Sequence, residues 1–167
     1  MRVLVAGIGN LFFGDDGFGC AVARALLELP LPAGVVVRDF GIRGLDLAYE
    51  LTNGYDLAIL VDAARRGHEP GELFVLALSA AGDQPLALEG HGMTPEKVLA
   101  TARSLGGELP VLRLVGCEPA ELGSEDEPAS GLSPVVALAV PRAVRLVWEL
   151  LRDPLGEEAQ QPGAHHA

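Results

Sequence analysis

The chain has few of the features that mark proteins outside the compact soluble class. Its 167 residues include only two cysteines, Cys20 and Cys117, so a disulfide framework is excluded and both are predicted to be thiols. No apolar run approaches the roughly 20 residues that a membrane-spanning helix needs. No basic segment precedes an apolar one at the N-terminus, so we expect no secretory signal, no membrane partner and a cytoplasmic location.

Positive charge is also scarce. The chain has 12 Lys and Arg against 23 Asp and Glu, a net charge of −11, and no stretch gathers its basic residues into a patch. This balance argues against nucleic acid as a partner. The length fits one domain that buries roughly two-thirds of its unfolded surface. No internal repeat is visible.

Apolar runs and helical patterns alternate along the chain. The pattern predicts a single-domain α/β three-layer sandwich, with helices on both faces of a mostly parallel, twisted sheet of about five strands. The connection before the fourth strand has about nine residues, which is too short for a helical crossover, so that strand should be antiparallel. Strands are predicted at 2–6, 35–38, 57–61, 72–78 and 111–115, and helices at 18–29, 45–51, 95–105 and 134–151.

The remaining segments are predicted from composition. Residues 119–132 are rich in Glu, Ser, Gly and Pro and should form a mobile surface loop. Pro141 lies inside the last helix and should kink it or interrupt a turn. The folded domain should cover residues 1–152, and 153–167 should be a flexible tail.

A glycine turn and two adjacent acids follow the first strand. Gly7 and Gly9 resemble the start of a dinucleotide-binding turn, but the third glycine position is occupied by Phe12. Asp15 and Asp16 would repel a phosphate. The turn therefore indicates a pocket for a metal or for acid–base chemistry, unless one of the two acids simply caps the first helix.

A second acid should meet the first at one edge of the sheet. Asp16 follows strand one and Asp62 ends strand three, and the crevice of such a sheet opens beyond the carboxyl ends of these strands. His91, between two glycines in a loop, could add an imidazole. Two carboxylates and one histidine suit zinc, nickel or iron. His68 is predicted to be an exposed turn residue.

Two further residues have alternative interpretations. Asp39 ends the second strand, where a dinucleotide-binding protein has its ribose-binding acid; it is equally well explained as a turn residue bonded to nearby backbone N–H groups. Cys117 ends a strand near the same edge, where it is either a nucleophile paired with His91 or a buried structural thiol. The second interpretation is preferred for Cys117, because no further activating base is evident.

Six sequence blocks, in order, carry a family resemblance: GIGNLFFGDDGFG, DFGIRGLDL, LVDA, EGHGMTPEKVL, VGCEPAEL and GLSP. Together they resemble the nickel-iron hydrogenase maturation endopeptidases over nearly the whole folded chain. That resemblance implies a twisted sheet covered by helices. It also implies removal of a short C-terminal peptide from the precursor of the hydrogenase large subunit after nickel has been installed.

The resemblance also implies roles for named residues. Asp16, Asp62 and His91 match the family's metal-binding trio, with Asp16 where the family often has Glu. The trio would recognise nickel supplied by the precursor, and in isolation it is open to another divalent metal. Asp39 matches an acid of the Asp-Gly-Gly box, in which Phe40 replaces a glycine. Asp16, Asp39, Asp62 and His91 are the expected catalytic set, with one of the three acids as general base.

A monomer acting on that precursor is expected. A maturation factor that binds nickel or a nucleotide without cleaving anything is the alternative.

Overall fold

The alternation of strands and helices along the chain is as predicted. A computed structural model describes residues 1–79 and 94–153. The strands are β1 (Val3–Ile8), β2 (Val35–Gly41), β3 (Leu57–Ala63), β4 (Leu73–Leu78) and β5 (Val111–Cys117). The helices are α1 (Phe18–Leu27), α2 (Gly44–Leu51), α3 (Pro95–Ser104) and α4 (Pro134–Arg152), and a 3-10 turn, Asp15–Gly17, precedes α1.

The five strands form one sheet in the order β2-β1-β3-β5-β4. All neighbours are parallel except β4, which pairs antiparallel with β5 and confirms the prediction from its short connection. Gly7 of β1 pairs with Asp39 on one side and with Val61 on the other. The carboxyl ends of β1, β2 and β3 are therefore level, and the chain reverses its direction of winding between β2 and β3. Ligand crevices open at this position in α/β sheets.

Helices cover both faces of the sheet. The helices α1 and α4 pack on one face through buried side chains such as Phe18, Leu26 and Val147. The helices α2 and α3 pack on the other through Leu47, Val98 and their neighbours. Each fully buried side chain of this kind stabilises the fold by about 1.5–3 kcal/mol. Every residue of β1 is buried, as a central parallel strand requires.

Two predictions about the second half of the chain differ from the structure in part. Of the two effects predicted for Pro141, an interrupted turn is wrong, because α4 continues through this residue, although Pro141 has no N–H to donate to the carbonyl of Ala137. The segment 119–132 is not a free surface loop. Its Ala129 accepts a hydrogen bond from Gly14 N (2.8 Å), and Gly123 N donates to the Phe13 carbonyl (3.0 Å).

Outside the described residues lie 80–93 and 154–167, so the predicted tail stays a prediction. None of the described helices is long and apolar enough to cross a bilayer.

Candidate active site

The turn after β1 brings the backbone very close to Asp16. Gly9 has φ of 141°, and a Cβ at this position would overlap the carbonyl oxygen of Asp16, so glycine is required here. The amide of Gly9 donates to the Gly41 carbonyl (3.0 Å), and that of Asn10 donates to Asp16 Oδ2 (2.9 Å). Amides that would face a phosphate in a dinucleotide-binding turn are therefore already paired. This pairing supports the prediction that the turn does not serve a pyrophosphate.

Asp16 and Asp62 both lie at the carboxyl edge of the sheet, in a 3-10 turn and a strand that contact each other. Asp16 lies half-buried in the 3-10 turn, and Asp62 is buried near the end of β3. The pKa of Asp62 is raised well above its usual value, mainly by burial and further by the negative charge of Asp16, against a hydrogen bond from Ala63 that lowers it. The two acids therefore lie near enough for the charge of Asp16 to act on Asp62, and their joint role in a site stays a prediction. A cation bound between them would compensate two carboxylates that otherwise repel each other.

Asp39 lies on the other side of β1 and has local partners. Its Oδ1 accepts a hydrogen bond from Gly41 N (3.0 Å), and its Oδ2 is 3.2 Å from Arg24 Nε. The interpretation of Asp39 as a turn residue bonded to backbone N–H groups therefore fits its geometry. The buried Cys20 thiol lies beside it. Burial raises the pKa of Cys20 to about 12, and a hydrogen bond to Asp39 and the charges of Asp39 and Asp16 contribute to the rise.

The predicted histidines differ in position. His91 lies outside the described residues, so its place in the predicted trio stays a prediction. Within residues 1–79 and 94–153, no three His, Cys, Asp or Glu side chains are grouped to hold a metal ion. His68 is exposed in the connection before β4, with Nδ1 3.3 Å from a carboxylate oxygen of Glu72. This position confirms its prediction as an exposed turn residue.

The second thiol has no nucleophilic character. Cys117 is fully buried and free, and burial raises its pKa to about 12, with the negative charge of Asp15 adding to the effect. A thiol nucleophile needs a lowered pKa and access to its substrate. The interpretation of Cys117 as a buried structural thiol is confirmed.

Asp15 has a role that sequence reasoning missed. It is completely buried, and neither it nor Asp16 caps α1. Its carboxylate accepts four hydrogen bonds from the far end of the chain: Ala120 N (2.9 Å), Glu121 N (2.8 Å), Ser133 N (2.7 Å) and Ser133 Oγ (2.9 Å). Ser133 lies at the N-cap position of α4, but its hydroxyl donates to Asp15 and makes no cap hydrogen bond. Asp15 thus ties the segment 119–133 to the turn that carries Asp16.

Glu118 is a second buried carboxylate that the sequence did not single out. It follows β5 directly, and its Oε2 accepts a hydrogen bond from Arg66 N (2.7 Å), which holds the connection between β3 and β4. A signal for both acids existed in the blocks VGCEPAEL and GLSP. No catalytic or metal-binding role was predicted for these two blocks on the basis of the resemblance, but they contain Glu118 and the three residues that donate to Asp15.

Comparison with known proteins gives a consistent result. The family described as hydrogenase maturation protease matches residues 20–150. The chain is 30% identical to the hydrogenase 2 maturation protease of Escherichia coli over 159 residues, which cover 92% of each chain. The hydrogenase maturating endopeptidase from E. coli has the same fold, with a TM-score of 0.75, 30% identity, and coverage of 93% of this chain and 94% of that one. A hydrogenase 2 maturation peptidase from a Thaumarchaeota archaeon is 36% identical with a TM-score of 0.70, over 91% of this chain and 99% of that one.

Proposed function

The chain belongs to the hydrogenase maturation protease family, and because of this membership we propose that it is an endopeptidase for one specific precursor. Its substrate would be the large subunit of a nickel-iron hydrogenase, and the reaction would remove a C-terminal peptide once nickel has been installed. We place this reaction in the cytoplasm and assign it to a monomer. The observation that supports the assignment best is that Asp16 and Asp62 both lie at the carboxyl edge of the sheet, in two elements that contact each other.

The two carboxylates suit a substrate that contains a metal ion. Asp62 is buried, and the raised pKa that burial and Asp16 give it would fall when a cation lies between the two acids. We propose that Asp16, Asp62 and His91 contact the nickel held by the precursor, so that only a loaded precursor is aligned for cleavage. Carboxylate and imidazole groups are suitable ligands for this ion. The nickel is then part of the substrate.

The general base is one of the two acids that face the crevice. Both oxygens of Asp39 are engaged, one by Gly41 N and the other by Arg24, so Asp39 is better placed to shape its turn than to take a proton. Asp16 and Asp62 lie at the carboxyl edge of the sheet, where a carboxylate can take a proton from the attacking water. We therefore propose that Asp62 or Asp16 activates the water that attacks the scissile carbonyl, while the substrate's nickel supplies electrostatic polarisation.

Intact mass spectrometry of a hydrogenase large-subunit precursor tests the proposal. The matched nickel-loaded and nickel-free precursors are incubated with the protein. We expect loss of a C-terminal peptide from the loaded form alone. If neither form loses mass while the loaded precursor is bound, the protein is a non-catalytic maturation factor instead.

Two substitutions test the proposed trio in the same assay. Asp16→Asn and His91→Ala should each abolish processing, because each removes a contact to the nickel. The circular dichroism spectrum of each variant is compared with that of the wild type, and Asp16→Asn should keep it, since asparagine has nearly the same shape as the half-buried aspartate. Processing at the wild-type rate by either variant would contradict the assignment.

A further inference from the structure

A cleft lies beside the acid pair, between the turn after β1 and the turn after β2. It has a volume of about 350 Å³ and is lined by residues of both turns, with the Cys20 thiol among them. Its wall is continuous with the candidate active site, because Asn10 lines the cleft and its amide donates to Asp16 Oδ2 (2.9 Å). A ligand that fills this cleft therefore contacts the residue whose amide holds the Asp16 carboxylate.

The rim of the cleft is apolar and open to solvent. Phe12 is 72% exposed on one side and Ile42 is 64% exposed on the other, and Leu11 lies beside Phe12. Leu45 and Tyr49 of α2, the helix that follows Ile42 along the chain, are exposed as well. Large apolar side chains grouped on the surface of an acidic chain indicate a site for a partner.

The charged groups of the cleft are matched within the protein. Asp39 is paired with Arg24 and Gly41 N, as described above. The Arg43 guanidinium donates to the carbonyls of Asp39 (2.6 Å) and Phe40 (3.2 Å), and it lies 3.6 Å from Asp46. Among the described residues, the lining of the cleft therefore has no unpaired charge that a charged ligand would neutralise. An uncharged, apolar stretch of an extended polypeptide is complementary to it, because buried charges without partners would be costly.

We propose that this cleft binds the C-terminal segment of the large-subunit precursor, with an apolar side chain of that segment seated between Phe12 and Ile42. The inference rests on the proposed function, since it takes the segment to be cleaved beside Asp16 and Asp62. The cleft then determines which segment is presented to the acids, and its volume is in the range of sites that enclose a few side chains.

The double substitution Phe12→Ser/Ile42→Ser tests the proposal. Both side chains are exposed, so the variant should keep the Tm of the wild type. The matched control is Leu138→Ser on α4, a residue with the same 72% exposure as Phe12 that does not line the cleft. We expect KM for the nickel-loaded precursor to rise about 10- to 100-fold in the double variant, with kcat changed less than about twofold and the control unchanged.

A binding measurement separates this inference from the proposed function. The probe is a fluorescein-labelled synthetic peptide that copies the precursor's C-terminal segment, and fluorescence anisotropy gives its Kd without any cleavage. The double variant should lose peptide affinity by the same factor as KM. If the wild type cleaves the precursor but the double variant has unchanged KM and Kd, the proposed role of the cleft is wrong and the proposed endopeptidase activity is retained.

Two other outcomes are equally decisive. A wild type that binds the peptide through Phe12 and Ile42 but never cleaves the precursor would overturn the endopeptidase instead. Sedimentation showing a wild-type dimer that the double variant abolishes would assign the patch to a second copy of the chain, and so contradict the proposal. If the double variant fails to fold, Phe12→Ala alone replaces it in both assays.

Discussion

Replacing Asp15 by alanine should destabilise the protein by about 3–5 kcal/mol, although Asp15 belongs to no predicted metal or catalytic contact. The side chain is completely buried, and four donors from Ala120, Glu121 and Ser133 converge on it. Alanine accepts none of these hydrogen bonds. All four donors, which lie in partly buried positions, would then lose their acceptor.

The magnitude follows from the cost of an unsatisfied donor. A buried donor that loses its partner costs about 1–3 kcal/mol, so four of them set an upper range of about 4–12 kcal/mol. The space vacated by a carboxylate is polar and can admit a water molecule, which lowers the expected value. The helix dipole of α4 favours an anion near its first turn, so losing the negative charge of Asp15 raises the expected cost. For a domain with about 5–15 kcal/mol of total stability, 3–5 kcal/mol is a large part.

Thermal and chemical unfolding measure the effect. The expected loss corresponds to a fall in Tm of about 6–20 °C for a domain of this size. Amide hydrogen exchange should show loss of protection at residues 120, 121 and 133, since these amides donate to Asp15. The matched control is Asp46→Ala, which removes an exposed acid and should change the stability by less than about 0.5 kcal/mol. A loss below about 1 kcal/mol in Asp15→Ala would refute the reasoning.

Three further substitutions have defined outcomes. Asp62→Asn should abolish processing and raise the Tm of the metal-free protein at pH 7. The folded-state pKa of Asp62 is raised above the unfolded value of about 3.9, so the wild type loses stability as the pH rises through that raised pKa. The difference in Tm between Asp62→Asn and the wild type should therefore disappear below about pH 4. A Tm difference that does not change with pH would contradict this prediction. Gly9→Ala should reduce processing at least tenfold, because a Cβ at this position collides with the Asp16 backbone. The control Gly67→Ala, also at positive φ but with open space around it, should retain processing. Equal kcat/KM values for the two variants would show that processing does not require glycine at position 9. Cys117→Ala should process the precursor at the wild-type rate, since its thiol is buried and un-ionised, and an inactive but folded variant would revive a thiol mechanism.

The architecture could be predicted because its signals are local. β1 and β3 are apolar at nearly every position, which indicates parallel strands buried on both faces, and their order along the chain then places Asp16 and Asp62 at one edge. The turn role of Asp39 was accessible for the same reason, because its backbone partner Gly41 is only two residues away. Local partners can be read from a single stretch of sequence.

The role of Asp15 could not be predicted because all its partners are remote. Its donors lie at least 105 residues further along the chain, and three of the four are backbone amides, which residue identity does not reveal. The polar composition of 119–132 therefore suggested a mobile loop. A serine followed by a proline is typical of a helix start, as at Ser133-Pro134, but this pair does not identify the acceptor of the Ser133 hydroxyl. Side chains at helix starts are ambiguous in this way, because a nearby carboxylate competes with the helix's own amides.

The bond between Asp15 and Ser133 also determines when the site becomes complete during synthesis. The two residues are separated by 118 positions, so Asp15 leaves the ribosome long before its last donors exist. A nascent chain that ends before residue 133 carries both adjacent acids but lacks two of the four hydrogen bonds that anchor the first of them. The turn beside Asp16 can therefore acquire all its hydrogen bonds only after α4 has been synthesised and has packed on the sheet. A fragment that ends before residue 133 therefore lacks two of the four hydrogen bonds that hold the turn beside Asp16.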